Sequence, residues 1–260
     1  MLLTDAPERL LDRVRKLLAQ AEDDAVTPAE AQAFTTKAAE LMAKYGIDRA
    51  LLAADQPETD QPANRILDID NPWAREKAHL LCGLASALRC QCILLNSTRP
   101  GTRVHIFGFG SDIERTDLLY TSVLIQMAHG LAGARVPDWS SSARAWRRSW
   151  LLGFATAVIA RVRQAEHGAV TVATGGAAGN SDRTAIVLAD RSVVIRQQVE
   201  QAYPVTRKAR VTYSGSGYRD GYERGQRADL GGTRLPRQKG RSLVAAKGAT
   251  QQTGGQRPLF

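Results

Sequence analysis

A cluster of arginine and tryptophan residues at the start of a predicted long helix has the chemistry of a nucleic-acid contact. The helix is predicted over 142–167, and its first turns contain Arg144, Trp146, Arg147 and Arg148. Guanidinium groups bind phosphate oxygens and indole rings stack on bases, so the pattern is typical of a surface that binds backbone phosphate. A solvent-exposed helix face, on which arginine stems cover tryptophan, explains the same spacing. The sequence leaves both interpretations open.

The C-terminal segment is strongly basic. Residues 230–260 hold six basic and no acidic side chains and few apolar ones, which predicts a disordered tail. We expect this tail to contact phosphate nonspecifically through Arg234, Arg237, Lys239 and Arg241. Arginine accounts for 28 of the 35 basic residues, so a codon bias toward arginine is a second explanation of the net charge of +9.

Four soft metal ligands lie close together in the sequence: His79, Cys82, Cys90 and Cys92. Structural zinc sites use pairs of close ligands joined by turns, whereas His79 and Cys82 fall in an apolar stretch typical of a core helix. Free cysteine packs as a small apolar residue. We therefore expect the cysteines to lie in the core, and we predict neither a bound metal nor a cofactor.

The turn from a predicted strand into a predicted helix, at residues 108–112, is the first place to inspect for catalysis. His105 lies on the strand and Asp112 begins the helix, so these two side chains are the first candidates for acid–base chemistry. Gly108 and Gly110 stand where a dinucleotide fold has its phosphate turn, but Ile113 occupies the third glycine position of that motif. The chain also lacks Gly-x-Ser-x-Gly and His-Glu-x-x-His motifs. A hydrolytic or metal-dependent enzyme around this turn is an alternative function and not the favoured one.

Three glycines spaced four residues apart, Gly217, Gly221 and Gly225, predict a helix with one bare face, beside which Tyr218 and Tyr222 form a pair. Each glycine inside a helix costs about 1 kcal/mol relative to alanine, so the repeat indicates that something approaches this backbone closely. The neighbour is either another helix of the same domain or a bound partner.

The N-terminal elements are helical. Residues 1–52 predict an antiparallel helical hairpin, whose second helix starts at Pro28 and stops at Gly46. The polar, proline-containing stretch 53–70 predicts a linker.

The main domain, 71–229, is predicted to place the candidate residues on long helices and a small sheet. Asn71 is the predicted cap of its first helix. Two or three antiparallel strands are predicted, at 91–96, 103–108 and 208–214. The predicted fold class is therefore α+β, with helix dominating, followed by the tail at 230–260.

The N-terminal hairpin resembles a known family. The stretches 11–22, 27–31 and 38–47 agree in order and spacing with an uncharacterised helical module common in actinobacteria and their phages, called domain of unknown function twenty-seven eighty-six. The rest of the chain resembles the usual uncharacterised partner of that module at Gly108 and Asp112, at 150–153, and at Gly221 and Gly225. The resemblance implies this architecture and a phage or mobile-element origin, but no activity.

These features favour a non-catalytic nucleic-acid-associated protein that contacts backbone phosphate of DNA or RNA, with a hairpin that binds a protein partner. An adaptor without a nucleic-acid role is a further alternative. No apolar run approaches the length of a membrane span, and the first residues lack the layout of a secretory signal, so we expect no membrane and a cytoplasmic protein.

Overall fold

The computed structural model of the 260-residue chain describes residues 16, 28–96, 100–175, 178–207 and 215–228. Within these residues the chain forms six α-helices and three strands, as the sequence predicts for a helix-dominated α+β fold. In chain order they are α1 Pro28–Asp55, β1 Pro62–Ile69, α2 Ala74–Ala87, β2 Gln91–Leu95, β3 Thr102–Phe109, α3 Gly110–Ala132, α4 Ala143–Thr174, α5 Ala178–Ala202 and α6 Tyr218–Gln226. A single 3-10 turn, Pro57–Thr59, precedes β1.

The sheet is antiparallel, and β3 lies in its centre between β1 and β2. The predicted hairpin of β2 and β3 is confirmed, with Leu94 opposite Val104 in the register. Side chains alternate along β3, so Val104 and Ile106 pack toward α2 while Phe107 and Phe109 pack toward α5. Both faces of the central strand are therefore covered by helices.

The largest apolar cluster surrounds α4, whose inner face carries Trp146, Trp150, Phe154 and Val158. These side chains are spaced at three to four residues, which places them on one face of the helix. Leucines of α2 and apolar residues of α3 complete the cluster. Because α4 forms the core with its inner face, only its opposite face and its first turn reach solvent.

A strand forms where the sequence predicts a linker. The predicted linker, 53–70, instead contains the end of α1, the 3-10 turn and strand β1, so this prediction is wrong over Pro62–Ile69. Proline and polar residues suggested a linker, but β1 is an edge strand, where a proline at the first position disturbs no central ladder. The strand predicted at 208–214 and the tail at 230–260 lie outside the described residues, as does the first helix of the hairpin except for residue 16.

Two predicted helix boundaries also differ. Helix α1 continues through Gly46 to Asp55. The guanidinium of Arg115 occupies the position that a side chain would take at Gly46, so this glycine makes room for Arg115 and does not end the helix. Helix α2 begins at Ala74 and not at Asn71. Its N-cap residue is Trp73 in a left-handed conformation, with φ 63°, which provides no side-chain cap.

Candidate nucleic-acid interface

The first turn of α4 presents arginine to solvent. Ser142 caps the helix, since its hydroxyl oxygen accepts a hydrogen bond from the backbone N–H of Ala145 at 3.2 Å. Arg144 and Arg147 follow and are exposed, and no acidic residue lies in the first turn. The N-terminal end of a helix dipole is positive, and the two arginines add to that positive charge. This turn is therefore a region of positive potential that favours an anion.

The first turn of α2 lies beside that of α4. Because Trp73 provides no side-chain acceptor, the N–H groups at the start of α2 lack a side-chain cap. Arg75 is exposed in the same turn. The sequence analysis missed Arg75, since nothing in its local pattern shows that residues 71–76 and 142–148 come together.

A cavity of about 290 Å³ lies between these two helix starts, and we call it the α2–α4 cavity. Its walls include Trp73, Arg75, Arg144 and Arg148, with Thr102 from the start of β3. Two helix N-termini and three guanidinium groups thus border one concave surface. Such a surface is suited to an oxyanion such as phosphate.

The charge in this cavity is only partly balanced. Glu76 is buried and accepts a hydrogen bond from Nε of Arg148 at 2.7 Å, which compensates Arg148. Among the described residues, Arg75, Arg144 and the neighbouring Arg147 form no ion pair. The cavity therefore keeps an excess of positive charge.

Trp146, predicted as part of the nucleic-acid surface, is 1% exposed and belongs to the core. This part of the prediction is wrong, because Trp146 shares the inward helical spacing of Trp150 and Phe154. Trp139, which the sequence analysis passed over, is 73% exposed and lies three residues before the cap of α4. Its position in a polar turn, outside any helical apolar face, is the signal that could have identified it. The predicted tail contacts Arg234, Arg237, Lys239 and Arg241 lie outside the described residues.

The glycine face of α6 packs on α4. A Cβ atom added at Gly221 would overlap the backbone oxygen of Trp150, and additions at Gly217 and Gly225 would crowd the backbone oxygens of Trp146 and Phe154. The rings of Tyr218 and Tyr222 stack beside this face with centroids 6.2 Å apart. The neighbour is thus a helix of the same chain, and the glycine face is not open to a partner.

His105 and Asp112 have separate partners. His105 hydrogen-bonds the Tyr203 hydroxyl through Nδ1 at 2.8 Å and Oδ1 of Asn64 through Nε2 at 3.0 Å. Burial lowers the pKa of His105. The ring of His105 packs with the rings of Phe107 and Tyr203 on the α5 side of the sheet. The described geometry does not join His105 to Asp112, so it does not favour the acid–base pair that their sequence positions suggested.

Asp112 belongs to a group of six charged side chains, five of them buried and Arg89 half-buried, that we call the charge cluster: Asp60, Arg89, Asp112, Arg115, Glu166 and Arg191. Asp112 accepts hydrogen bonds from Arg115 at 3.0 Å and from Arg191 at 3.2 Å. Glu166 accepts from Arg89 at 2.9 Å and also from Arg115. Three arginines and three carboxylates balance in charge, as buried ions require.

Asp60 occupies the anion position at the start of α3. Its carboxylate accepts from the backbone N–H of Ser111 at 3.0 Å and from the Ser111 hydroxyl at 2.6 Å. The helix N-terminus after the 108–112 turn is therefore capped from within the chain. The Ser111 N–H and hydroxyl groups are therefore already bound by Asp60 and are not open to an external phosphate.

The four candidate metal ligands do not form a described metal site. No group of three or more His, Cys, Asp or Glu side chains able to hold a metal ion occurs among the described residues. Partial burial of the His79 ring on α2 lowers its pKa. Cys90 is buried, with its sulfur 3.8 Å from the Thr116 hydroxyl. Cys82 and Cys92 are half-buried neighbours whose thiol hydrogen bond lowers the pKa of Cys82 and raises that of Cys92.

We expect the cysteines to react with iodoacetamide at different rates in the native protein at pH 8. Burial raises the pKa of Cys90 to about 12, so almost none of its reactive thiolate forms, whereas the lowered pKa of Cys82 favours thiolate. Cys82 should be alkylated first, ahead of both Cys90 and Cys92, as measured by mass spectrometry of time-resolved digests. In urea the three rates should converge. Rapid alkylation of native Cys90 would contradict its burial.

The N-terminal region matches a known family. A family model described as Protein of unknown function (DUF2786) matches residues 9–49. These residues are a DUF2786 module. The match ends before β1, so the resemblance of the remaining chain to the usual partner domain stays a prediction. Comparisons with curated proteins and with solved structures found no match.

The described part of the DUF2786 module contacts the rest of the chain. Met42 of α1 belongs to the core cluster around α4, and Tyr45 and Ile47 are also buried. Gly46 lies directly against Arg115, with Nη2 of Arg89 2.6 Å from the position of a Cβ. This face of the DUF2786 module is therefore used within the chain and is not available to the protein partner that we predicted for it.

Among the described helices, none combines the length and the apolar character needed to cross a membrane.

Proposed function

We propose that the chain is a non-catalytic nucleic-acid-binding protein that holds backbone phosphate in the α2–α4 cavity. The observation that carries the proposal is the meeting of two helix starts and three arginines at one concave surface, where Glu76 is the only acidic wall residue. Guanidinium groups and helix N-termini are the groups that proteins commonly direct at phosphate.

Trp139 is a candidate for a base contact. Its indole is exposed, and the residue lies in the turn that leads into the first turn of α4. An exposed aromatic ring beside a phosphate-binding groove supports stacking on unpaired bases. Since phosphate and stacking are shared by DNA and RNA, we expect binding to both and little dependence on base sequence.

The test is a variant in which Arg75, Arg144 and Arg147 are all changed to Ala in the full chain. Each lost phosphate contact reduces the salt dependence, so the slope of log affinity against log salt should flatten by up to about three units. Fluorescence anisotropy with labelled single-stranded and duplex oligonucleotides, over a salt series, measures both affinity and slope. Arg148 is left in place, because its loss would leave the buried Glu76 carboxylate unpaired.

The matched control changes Arg163, Arg196 and Arg207 to Ala. These arginines are exposed, and the described residues provide no ion pair for them, so the net charge falls by the same amount away from the cavity. The control should keep most of the affinity. Equal losses in both variants would show that binding follows net charge only, and absence of binding by the unaltered chain would favour the adaptor function.

A further inference from the structure

Two cysteines lie in the layer where α2 packs on the sheet, and the first of them is Cys82. It follows Ala78 by four residues and precedes Ala85 by three, so it lies on the same face of α2 as these two buried alanines. Ala78 and Ala85 pack in clusters with Val104 and Ile106 of the central strand β3. Cys82 is therefore on the face of α2 that packs on the sheet.

The second cysteine, Cys92, reaches the same layer from strand β2. It lies opposite Ile106 in the register of β2 and β3, so its side chain is on the sheet face that packs on α2. Cys82 and Cys92 both pack against the apolar cluster that contains Leu81 and Val104. The helix and the strand thus bring the two thiols together, and these thiols form a hydrogen bond with each other.

The two thiols of this pair have different chemistry. The S–H of Cys92 donates to the sulfur of Cys82, which lowers the pKa of Cys82 and raises that of Cys92. Cys82 is therefore the nucleophile of the pair, and Cys92 is a thiol directly beside it. Both residues are half-buried, whereas Cys90 is 3% exposed and its sulfur lies 3.8 Å from the Thr116 hydroxyl. A small reagent thus has better access to the pair than to Cys90.

We propose that Cys82 and Cys92 form a reversible redox site, in which hydrogen peroxide converts the two thiols to an intramolecular disulfide. The Cys82 thiolate attacks one peroxide oxygen and breaks the O–O bond, which leaves a sulfenic acid on Cys82 and releases hydroxide. The Cys92 sulfur then attacks the Cys82 sulfur. The S–S bond forms, the S–O bond breaks, and the Cys92 proton leaves with the hydroxyl group as water.

The electrons and protons of this reaction balance. The hydroxide from the first step takes up the proton that the Cys82 thiol lost, so one peroxide is reduced to two waters while the two sulfurs lose two electrons. A dithiol reductant reverses the reaction by thiol–disulfide exchange. Neither cysteine lines the α2–α4 cavity, so the redox site and the proposed phosphate site are independent of each other.

The test treats the reduced, folded full chain with hydrogen peroxide and then counts the free thiols by alkylation in urea and intact mass spectrometry. Alkylation should fall from three thiols to one, and dithiothreitol should restore all three. Trypsin cleaves after Lys77 and Arg89, so the disulfide should join peptide 78–89 to peptide 90–103 in a non-reduced digest. Fragmentation of the joined peptides should place the bond on Cys92 and find Cys90 alkylated. Peroxide treatment in urea should instead give a mixture of pairings, since the fold no longer selects one.

Matched serine variants test the role of each cysteine. Cys92→Ser should lose the disulfide and keep a sulfenic acid on Cys82 that dimedone traps. Cys82→Ser should also lose the disulfide, whereas Cys90→Ser, the control, should form as much of it as the unaltered chain.

Three results with the folded, unaltered chain overturn the proposal: three alkylatable thiols after peroxide treatment, a disulfide that involves Cys90, or a disulfide that joins two chains. Because these results need no variant, they decide the question even if a serine variant fails to fold. None of them bears on the oligonucleotide test.

Discussion

Changing Arg115 to Met should lower the free energy of unfolding by about 3–5 kcal/mol, the usual cost of removing one member of a buried ion pair. Arg115 is fully buried and donates to both Asp112 and Glu166, so its loss leaves the charge cluster with three carboxylates and two arginines. Urea unfolding followed by circular dichroism measures the change.

A second substitution tests whether charge balance is the cause. Adding Glu166→Gln to Arg115→Met restores two arginines against two carboxylates, so the double variant should be more stable than the sum of the two single losses predicts. Arg163→Met, at an exposed position of α4, is the control and should change stability by less than about 0.5 kcal/mol. If Arg115→Met were as mild as the control, the charge cluster would not stabilise the fold.

The second prediction concerns the same substitution, glycine to alanine, at two positions of α4. Gly153→Ala should destabilise the protein by about 3 kcal/mol, because the new methyl group would overlap the backbone oxygen of Tyr218 and force α6 away from α4. Backbone atoms of a packed helix have no alternative rotamer, so the two helices must separate.

Gly168→Ala in the same helix should have the opposite sign. Nothing lies within 4 Å of a Cβ placed at Gly168, so the change removes the entropic cost of glycine and should stabilise by about 0.5–1 kcal/mol. Thermal and urea unfolding of the two variants gives the comparison directly. No loss at Gly153 would contradict the close contact of α4 and α6, and a loss at Gly168 would contradict the open space around that position.

The charge cluster also explains why the DUF2786 module and the main domain are packed together in the described residues. Gly46 of α1 provides the space that the Arg115 guanidinium occupies, while Asp60, which follows the module, holds Arg191 and the start of α3. Stability measurements on Arg115 variants therefore also report on how firmly this face of the module is held.

Local patterns in the sequence determined much of the fold. Apolar spacing of three and four residues identified the long helices, and alternation on either side of a polar loop identified the β2–β3 hairpin. The interval of four between Gly217, Gly221 and Gly225 identified a face of close approach. These features are readable because each depends on residues within a few positions of one another.

Only the tertiary structure decided which residues meet. Asp60 and Arg191 are 131 positions apart, and Arg148 and Glu76 are 72 apart, so no local spacing marks either pair. Arg75 was not recognised as a neighbour of Arg144 for the same reason, because the two residues are far apart in the sequence. It also concealed the edge strand β1, whose polar and proline-containing sequence is held by pairing with β3. For Trp146 the local sequence was misleading. A tryptophan between arginines suggests an exposed surface, but contacts with the core cluster and with the start of α6 bury it.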